Sequence, residues 1–290
     1  MSIAGILIGK IKRVETTMYV LDLWPENLFS VIKINNPYLR RVAAYVSHWH
    51  YRHVDKLVVL SEKMKSHLIE AIDVKPSNII VLPQTSEKIY EQDIKNRVIS
   101  QKFRSGFNIL YAGNISPAQS FDTIIYAAKI LEQKGINDIN WIIVGDGMSR
   151  KAVEQKVNDE NLSGIFHFEG QKPVEDIPKY NYGTDLLVGC LVKSDLLEAT
   201  IPAKVMSYIA SGKPMVLAMD GEVQKLINST IKCGFAGPTE DASVLADNIE
   251  RIHNLSSEER DAMGKRARAY HFKHFERNIV LSKLLGFINK

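Results

Sequence analysis

The stretch ATIPAKVMSYIASGKPMV, Ala199 to Val216, places a lysine where a helix disfavours one. Pro202 suits the first helical position, Gly212 suits the end, and Pro214 prevents continuation. Lys204 then falls in the first turn, where the helix dipole opposes a cation. A bound anion more negative than the lysine is positive would reverse that penalty. Backbone groups at Ala199, Thr200, Ile201 and Pro202, together with the Lys204 ammonium, could clamp a diphosphate. Val205, Met206 and Ile209 are suited to face a sheet, while Lys204 and Tyr208, at i and i+4, share another face. An ordinary helix with an exposed lysine is the plain alternative.

Three other short stretches end strands in glycine. In YAGNISPAQS, Gly113 permits close backbone approach, with Asn114 and Gln119 flanking a helix start that can bind phosphate. In VGDG, Gly145 and Gly147 suit packing against a ligand, and in FEGQKP the candidates are Gly170, Gln171 and Lys172. Plain strand–helix turns would read much the same. Two carboxylates, Glu198 and Glu222, lie near the same strand ends. His48, His50 and His53 form no zinc-type pattern, so no metal is expected. With Arg40, Arg41, Arg52, Tyr45 and Trp49 they read as a basic, aromatic surface suited to an anionic membrane, or as a solvated helix.

The elements that must hold these groups are legible in the second half. Apolar runs FNILYAG, NWIIVGDG, IFHFEG, TDLLVGCL, PMVLAM and CGFAGP alternate with helical patterns, among them SFDTIIYAAKILEQKG and DASVLADNIERIH. Continuous apolar strands between helices predict a doubly wound parallel sheet buried on both faces, with ligands at the carboxyl ends of the strands. Before this, TMYVLDLWPENL, KLVVLS and NIIVLP supply only three strands, with helices at PYLRRVAAYVSHWHYRHVD and EKMKSHLIEAI. QTSEKIYEQDIKNRVISQKFRSG reads as a polar linker, and the tail from Ser256 to Lys290 as helical.

The chain has 290 residues, 45% hydrophobic and 24% charged, with net charge +4. This is ordinary for a soluble two-domain protein and too weakly basic to imply nucleic acid. Cys190 and Cys233 form no CxxC or metal spacing, so a reducing cytosol is the default. MSIAGILIGKIKR is too short an apolar run to span a bilayer.

Taken in order, DLWPENL, VDKLVVLSEKMKSHL, YAGNISPAQSFDTIIYAAKIL, WIIVGDGMSRKAVE, IPAKVMSYIASGKPMV, CGFAGPTEDASVLADNIERI and MGKRARAYHFKHF resemble glycosyltransferase family 4. The likeness is closest to the L-fucosamine-type transferases of O-antigen and capsule assembly. The resemblance implies an α/β chain of the GT-B type, two Rossmann-like domains with the first incomplete. Expected boundaries are 1–102 for a partial acceptor-side domain with linker, 103–274 for the nucleotide-sugar domain, and 275–290 for a helix returning to the first. A complete first domain would need roughly a hundred further residues at its start.

The resemblance further implies a retaining, hexosyltransferase-type enzyme. It would move a sugar, a UDP-linked N-acetylated amino sugar by the closest likeness, to a lipid-linked saccharide, with no cofactor and no obligatory metal. The place would be the cytoplasm, at the inner face of the cell membrane. Lys204 and Glu198 are the expected catalytic residues, with Glu222 a further donor contact. Gly170, Gln171 and Lys172 match a loop that reads uracil. Many members carry a Lys-Gly pair where this chain has Gln119 and Ser120. Most carry two glutamates eight positions apart, where this chain has Ala199 and Ser207, the latter at the ribose-contacting place. A competing expectation is a catalytically inactive or split half that binds nucleotide, or a separate chain supplying the missing domain.

Overall fold

The computed structural model describes residues 2–25, 36–91, 103–194 and 197–289. The end of the DLWPENL motif and half of the polar segment after Gln84 lie outside them. The chain divides into two units, Met1–Gln84 with Ala199–Ile201 and Arg277–Lys290, and Thr85–Glu198 with Pro202–Glu276.

The first unit begins with helix α1 (Ser2–Lys12) and strand β1 (Thr17–Val20), followed by α2 (Pro37–His53), β2 (Lys56–Val59), α3 (Glu62–Glu70) and β3 (Ile79–Val81). The three strands form one parallel sheet in the order β1-β2-β3. Asn36 caps α2, its side chain accepting from the amides of Tyr38 (2.9 Å) and Leu39 (3.4 Å). Ser61 caps α3 by accepting from Met64 N at 3.1 Å. The chain's last helix, Arg277–Ile288, lays Val280 and Leu284 against Val58, Leu82 and Ile80 of this sheet.

The second unit holds β4 (Phe107–Ala112), α4 (Phe121–Gln133), β5 (Ile139–Val144), α5 (Arg150–Asp159), β6 (Phe166–Gly170), α6 (Ile177–Gly183), β7 (Leu186–Cys190), α7 (Ala203–Ser211), β8 (Met215–Ala218), β9 (Gly234–Gly237), α8 (Ala242–His253) and α9 (Ser257–Tyr270). Its sheet runs parallel in the order β6-β5-β4-β7-β8-β9. The chain therefore winds outward in one direction from β4 and in the other from β7. The six apolar runs read from the sequence are these six strands. A core of Ile109, Trp141, Ile143, Leu186, Val188 and Val216 beneath Ile124, Ala128, Leu245 and Ile249 is almost fully excluded from solvent.

Two expectations need correction. Within the segment read as a polar linker, Lys88–Glu91 forms a 3-10 turn whose Tyr90 is buried. Arg268 holds that turn, donating to the carbonyls of Tyr90 (3.2 Å) and Glu91 (2.9 Å). Pro202 stands at the cap of α7 rather than inside its first turn. Its φ of −60° suits either place, but its ψ of 145° is extended, and the helix begins at Ala203.

Candidate functional site

The switch in winding direction lies between β4 and β7, where an open parallel sheet leaves a crevice at its carboxyl ends. β4 and β7 pair only at Ile109 opposite Leu186 and Leu110 opposite Leu187. Beyond that the strands diverge and the Ala112 amide loses a strand partner. The Tyr208 hydroxyl of α7 fills the gap, accepting from Ala112 N at 3.1 Å and donating to Val188 O at 3.1 Å. One side chain thus ties α7 to both strands at the point where they part, which fixes Lys204 one turn earlier.

The cavity at this point has a volume of about 710 Å³. Gly113 and Asn114 border it from the end of β4, Gly145, Asp146 and Gly147 from β5, and Gln171, Lys172, Pro173 and Val174 after β6. Ile177, Asn181, Lys204, Ser207, Tyr208 and Tyr90 complete the wall. Six strand-end residues expected from sequence, Gly113, Asn114, Gly145, Gly147, Gln171 and Lys172, are therefore brought together with Lys204 and Ser207.

The glycines act by absence of a side chain. At Gly145, with φ +142°, an added Cβ would strike the Gly113 carbonyl, and at Gly113, with φ +149°, it would lie 2.9 Å from Lys204 Cε. Their amides are engaged within the fold: Gly113 N donates to Val144 O (2.9 Å), Gly145 N to Gly170 O (2.9 Å), and Gly147 N to the Asp146 carboxylate (2.7 Å). The close approach to the backbone expected at Gly113 is made by the Lys204 side chain. Gly170 itself ends β6 after a shift in register: Phe168 stands opposite Ile143 and Gly170 opposite Val144. Glu169 accepts from Tyr180 OH at 3.2 Å and lies 3.7 Å from Lys172 Nζ.

Lys204 is the electrostatic centre. Its ammonium donates to Gln119 Oε1 at 2.8 Å and sits 3.6 Å over the Tyr111 ring. Among the described residues no carboxylate pairs with it. Loss of hydration pushes its pKa down to about 7, opposed weakly by the Cys190 thiol. The Cys190 thiol is itself pushed up to about 12 by burial, and the phenols of Tyr111 and Tyr208 are raised by the same cause. A diphosphate in the cavity would supply the missing counter-charge and favour the protonated lysine.

Ser207 keeps its hydroxyl near its own helix, 3.3 Å from Ala203 O. Tyr90 faces it, and burial pushes the Tyr90 phenol up to about 12, with the nearby Glu87 charge adding and a hydrogen bond to Ser207 opposing. Asn181 is fully buried. Its Nδ2 donates to Ser211 Oγ at 2.7 Å, while Ser211 donates to Ser207 O at 2.7 Å. That chain fixes the amide orientation and leaves Asn181 Oδ1 without a partner among the described residues. An orphaned acceptor on a cavity residue asks for a ligand hydroxyl or N–H.

The remaining expected residues lie elsewhere. Gln119 contacts Lys204 but is not part of the cavity wall. Glu198 and Glu222 do not line the cavity; the Glu198 carbonyl instead abuts Gly221, where an added Cβ would strike it. Ala199, Thr200 and Ile201 belong to the first unit, where Ser61 Oγ donates to the Ala199 carbonyl. Neither these residues nor Pro202 lines the cavity. Tyr90, Asp146 and Asn181 were not singled out by sequence; only the burial of their surroundings reveals them. In α2, His53 stacks on Trp49 at 4.4 Å and donates to its carbonyl at 2.8 Å, so its ring serves the helix. Among the described residues no group of three or more His, Cys, Asp or Glu could hold a metal, and no helix is long and apolar enough to cross a membrane.

This architecture is shared with solved structures. Anabaena Alr3699/HepE, crystallised with UDP and glucose, is 16% identical with a TM-score of 0.79, covering 99% of this chain and 75% of that one. WaaG, a glycosyltransferase involved in lipopolysaccharide biosynthesis, is 17% identical with a TM-score of 0.69, covering 92% and 73%. These likenesses show the α/β GT-B fold with its two Rossmann-like domains. By sequence, 2-deoxystreptamine glucosyltransferase of Streptomyces kanamyceticus is 25% identical over 221 residues, 70% of this chain and 56% of that protein. WcaL of Escherichia coli K12, whose name points to a glycosyltransferase of colanic acid biosynthesis, is 21% identical over 181 residues, 62% and 44%. The chain thus spans about half the length of these two relatives. The profile of the Glycosyl transferases group 1 family matches residues 92–270, and the chain belongs to that family.

Proposed function

We propose that the cavity at the β4–β7 switch binds the nucleotide diphosphate of a sugar donor, and that the chain is the donor-binding part of a retaining glycosyltransferase. The observation that carries this reading is Lys204, an ammonium without a carboxylate partner among the described residues, on the helix that Tyr208 ties to the switch point. Its role is to stabilise the leaving diphosphate, without an obligatory metal. Positioning and charge stabilisation supply the catalysis.

UDP is the proposed nucleotide, since Alr3699/HepE is crystallised with UDP-glucose. The proposed acceptor is a lipid-linked saccharide of surface polysaccharide synthesis, a reading supported by the names of WcaL and WaaG. The L-fucosamine-type donor, an N-acetylated amino sugar, rests on the motif resemblance alone. Exposed Ile8, Ile11 and Tyr45 among Lys10, Lys12, Arg40 and Arg41 support work at an anionic membrane face.

Calorimetric titration with UDP is the direct test. Saturable binding that weakens in Lys204→Ala is the expected result, and no binding by the wild-type chain would remove the reading. One observation favours the binding-only alternative: Ser207 stands where the resemblance places a ribose-contacting carboxylate. UDP binding without turnover of a UDP-sugar on membrane acceptor would select that alternative.

A further inference from the structure

Gln119 lies 85 residues before Lys204, yet its carboxamide oxygen is the polar atom that receives the ammonium, at 2.8 Å. The single proton of Tyr111 OH is shared between this oxygen, at 3.0 Å, and Asn114 O, at 2.7 Å. An ammonium has only donors, so the amide must present Oε1 here and turn its NH₂ away. The Tyr111 ring, 3.6 Å from Nζ, adds its negative face without adding a charge. The lysine is therefore held on two sides by neutral groups.

A carboxylate at position 119 would hold the ammonium in the same way but neutralise it. A lysine there would repel it. A glutamine does neither.

We propose that Gln119 is a positioning residue that fixes the Lys204 ammonium without neutralising it, so that the whole positive charge faces an anionic ligand. This rests on reading the cavity as a diphosphate site. The cation that Gln119 holds arrives from α7 rather than from the loop after β4. Among the described residues, the titratable groups that face the ammonium are the Cys190 thiol of β7 and the Tyr111 phenol of β4, both kept neutral by burial. Gln119 is the hydrogen-bond acceptor through which a substitution can change how readily Lys204 holds its proton.

The experiment is UDP calorimetry on the wild type, Gln119→Glu and Gln119→Met between about pH 6 and pH 9. In the wild type, UDP affinity is expected to fall as Lys204 loses its proton with rising pH. Gln119→Glu supplies a permanent counter-charge. It is expected to weaken UDP by about tenfold or more, the loss of one charge-assisted contact, and to abolish the fall across this range. Gln119→Met removes the acceptor, so the fall should begin at lower pH. A side chain of purely structural role would weaken both variants without moving either pH profile, and that result overturns the proposal. Loss of the nucleotide reading is separable: it would show as no UDP binding by the wild type.

Discussion

Trp24 and Trp141 carry the same side chain into two different settings. Trp141, in the middle of β5, is 1% exposed and stacks on Phe166 with ring centres 5.5 Å apart. Trp24, just past β1, is 49% exposed, with its backbone amide held by Tyr51 OH at 3.0 Å. The contrast holds for the units around them. A six-stranded parallel sheet with helices on both faces encloses its strands, and every residue of β4 is buried. The three-stranded sheet buries β2 but leaves β1 largely open, and the helices beside it display Ile8, Ile11, Tyr38 and Tyr45. The difference teaches that the second unit supplies a rigid frame able to hold a charged group in a fixed place, whereas the first presents surface.

The sharpest way to break this comparison is to cut the same side chain in both places. Trp141→Ala should cost about 3–5 kcal/mol, from lost burial and the cavity left behind. Trp24→Ala should cost under about 1.5 kcal/mol. Denaturant unfolding followed by circular dichroism measures both. Equal losses would mean that the exposed face of the first unit is as enclosed as the core of the second.

Lys204→Ala tests the frame at the site itself. Removing one charge-assisted contact should weaken UDP ten- to a hundredfold, about 1.5–3 kcal/mol. Thermal stability should hold or rise, because a desolvated cation is lost with it. A large drop in stability with unchanged UDP binding would make Lys204 a structural group.

Most of the fold was legible before any coordinates, and the reason is local. Each strand of the second sheet is an apolar run ending in or near glycine, and each helix repeats at helical spacing, so short windows suffice. The helix Ser2–Lys12 was not, because SIAGILIGKIK is apolar with two glycines and no cap. The site was legible in its loops but not in its contacts. Gly113, Gly145 and Lys204 announce themselves by type and position. That Gln119 touches Lys204, that Tyr208 bridges the divergence of β4 and β7, and that Asn181 is left with an orphaned oxygen depend on residues 20 to 96 positions apart meeting. The supposed linker misled because Tyr90 is one aromatic among polar neighbours, and its burial comes from tertiary partners.

Protonation gives the next prediction, and its sign can be worked out. In the folded chain Lys204 titrates at about 7, against its ordinary 10.5. Between those values the unfolded chain carries a proton that the folded chain does not, so stability rises with pH across that window and is flat below it. Ligand binding runs the other way. A diphosphate needs the ammonium, so above about pH 7 binding must take up a proton, and affinity falls by up to about tenfold per pH unit. Calorimetry in buffers of different ionisation enthalpy would register that uptake. Lys204→Ala should abolish it. A UDP affinity that is flat from about pH 7 to 9 in the wild type would place the phosphate away from this lysine.

The smallest effect belongs to the open face. Ile11 is 81% exposed, and Lys10 and Lys12 flank it. Ile11→Ser removes apolar surface already in water, so the stability change should stay within about 0.5 kcal/mol. Binding to vesicles rich in anionic lipid should weaken if this face meets a membrane, because the contact there combines a buried apolar side chain with the charge of Lys10 and Lys12. Salt then separates the two contributions: screening removes the part due to the lysines and leaves the part due to Ile11. Vesicle binding equal to wild type at both low and high salt would mean that Ile11 does not enter the membrane. A stability loss above about 1 kcal/mol would mean that the residue is covered in solution, contrary to its place on an open helix.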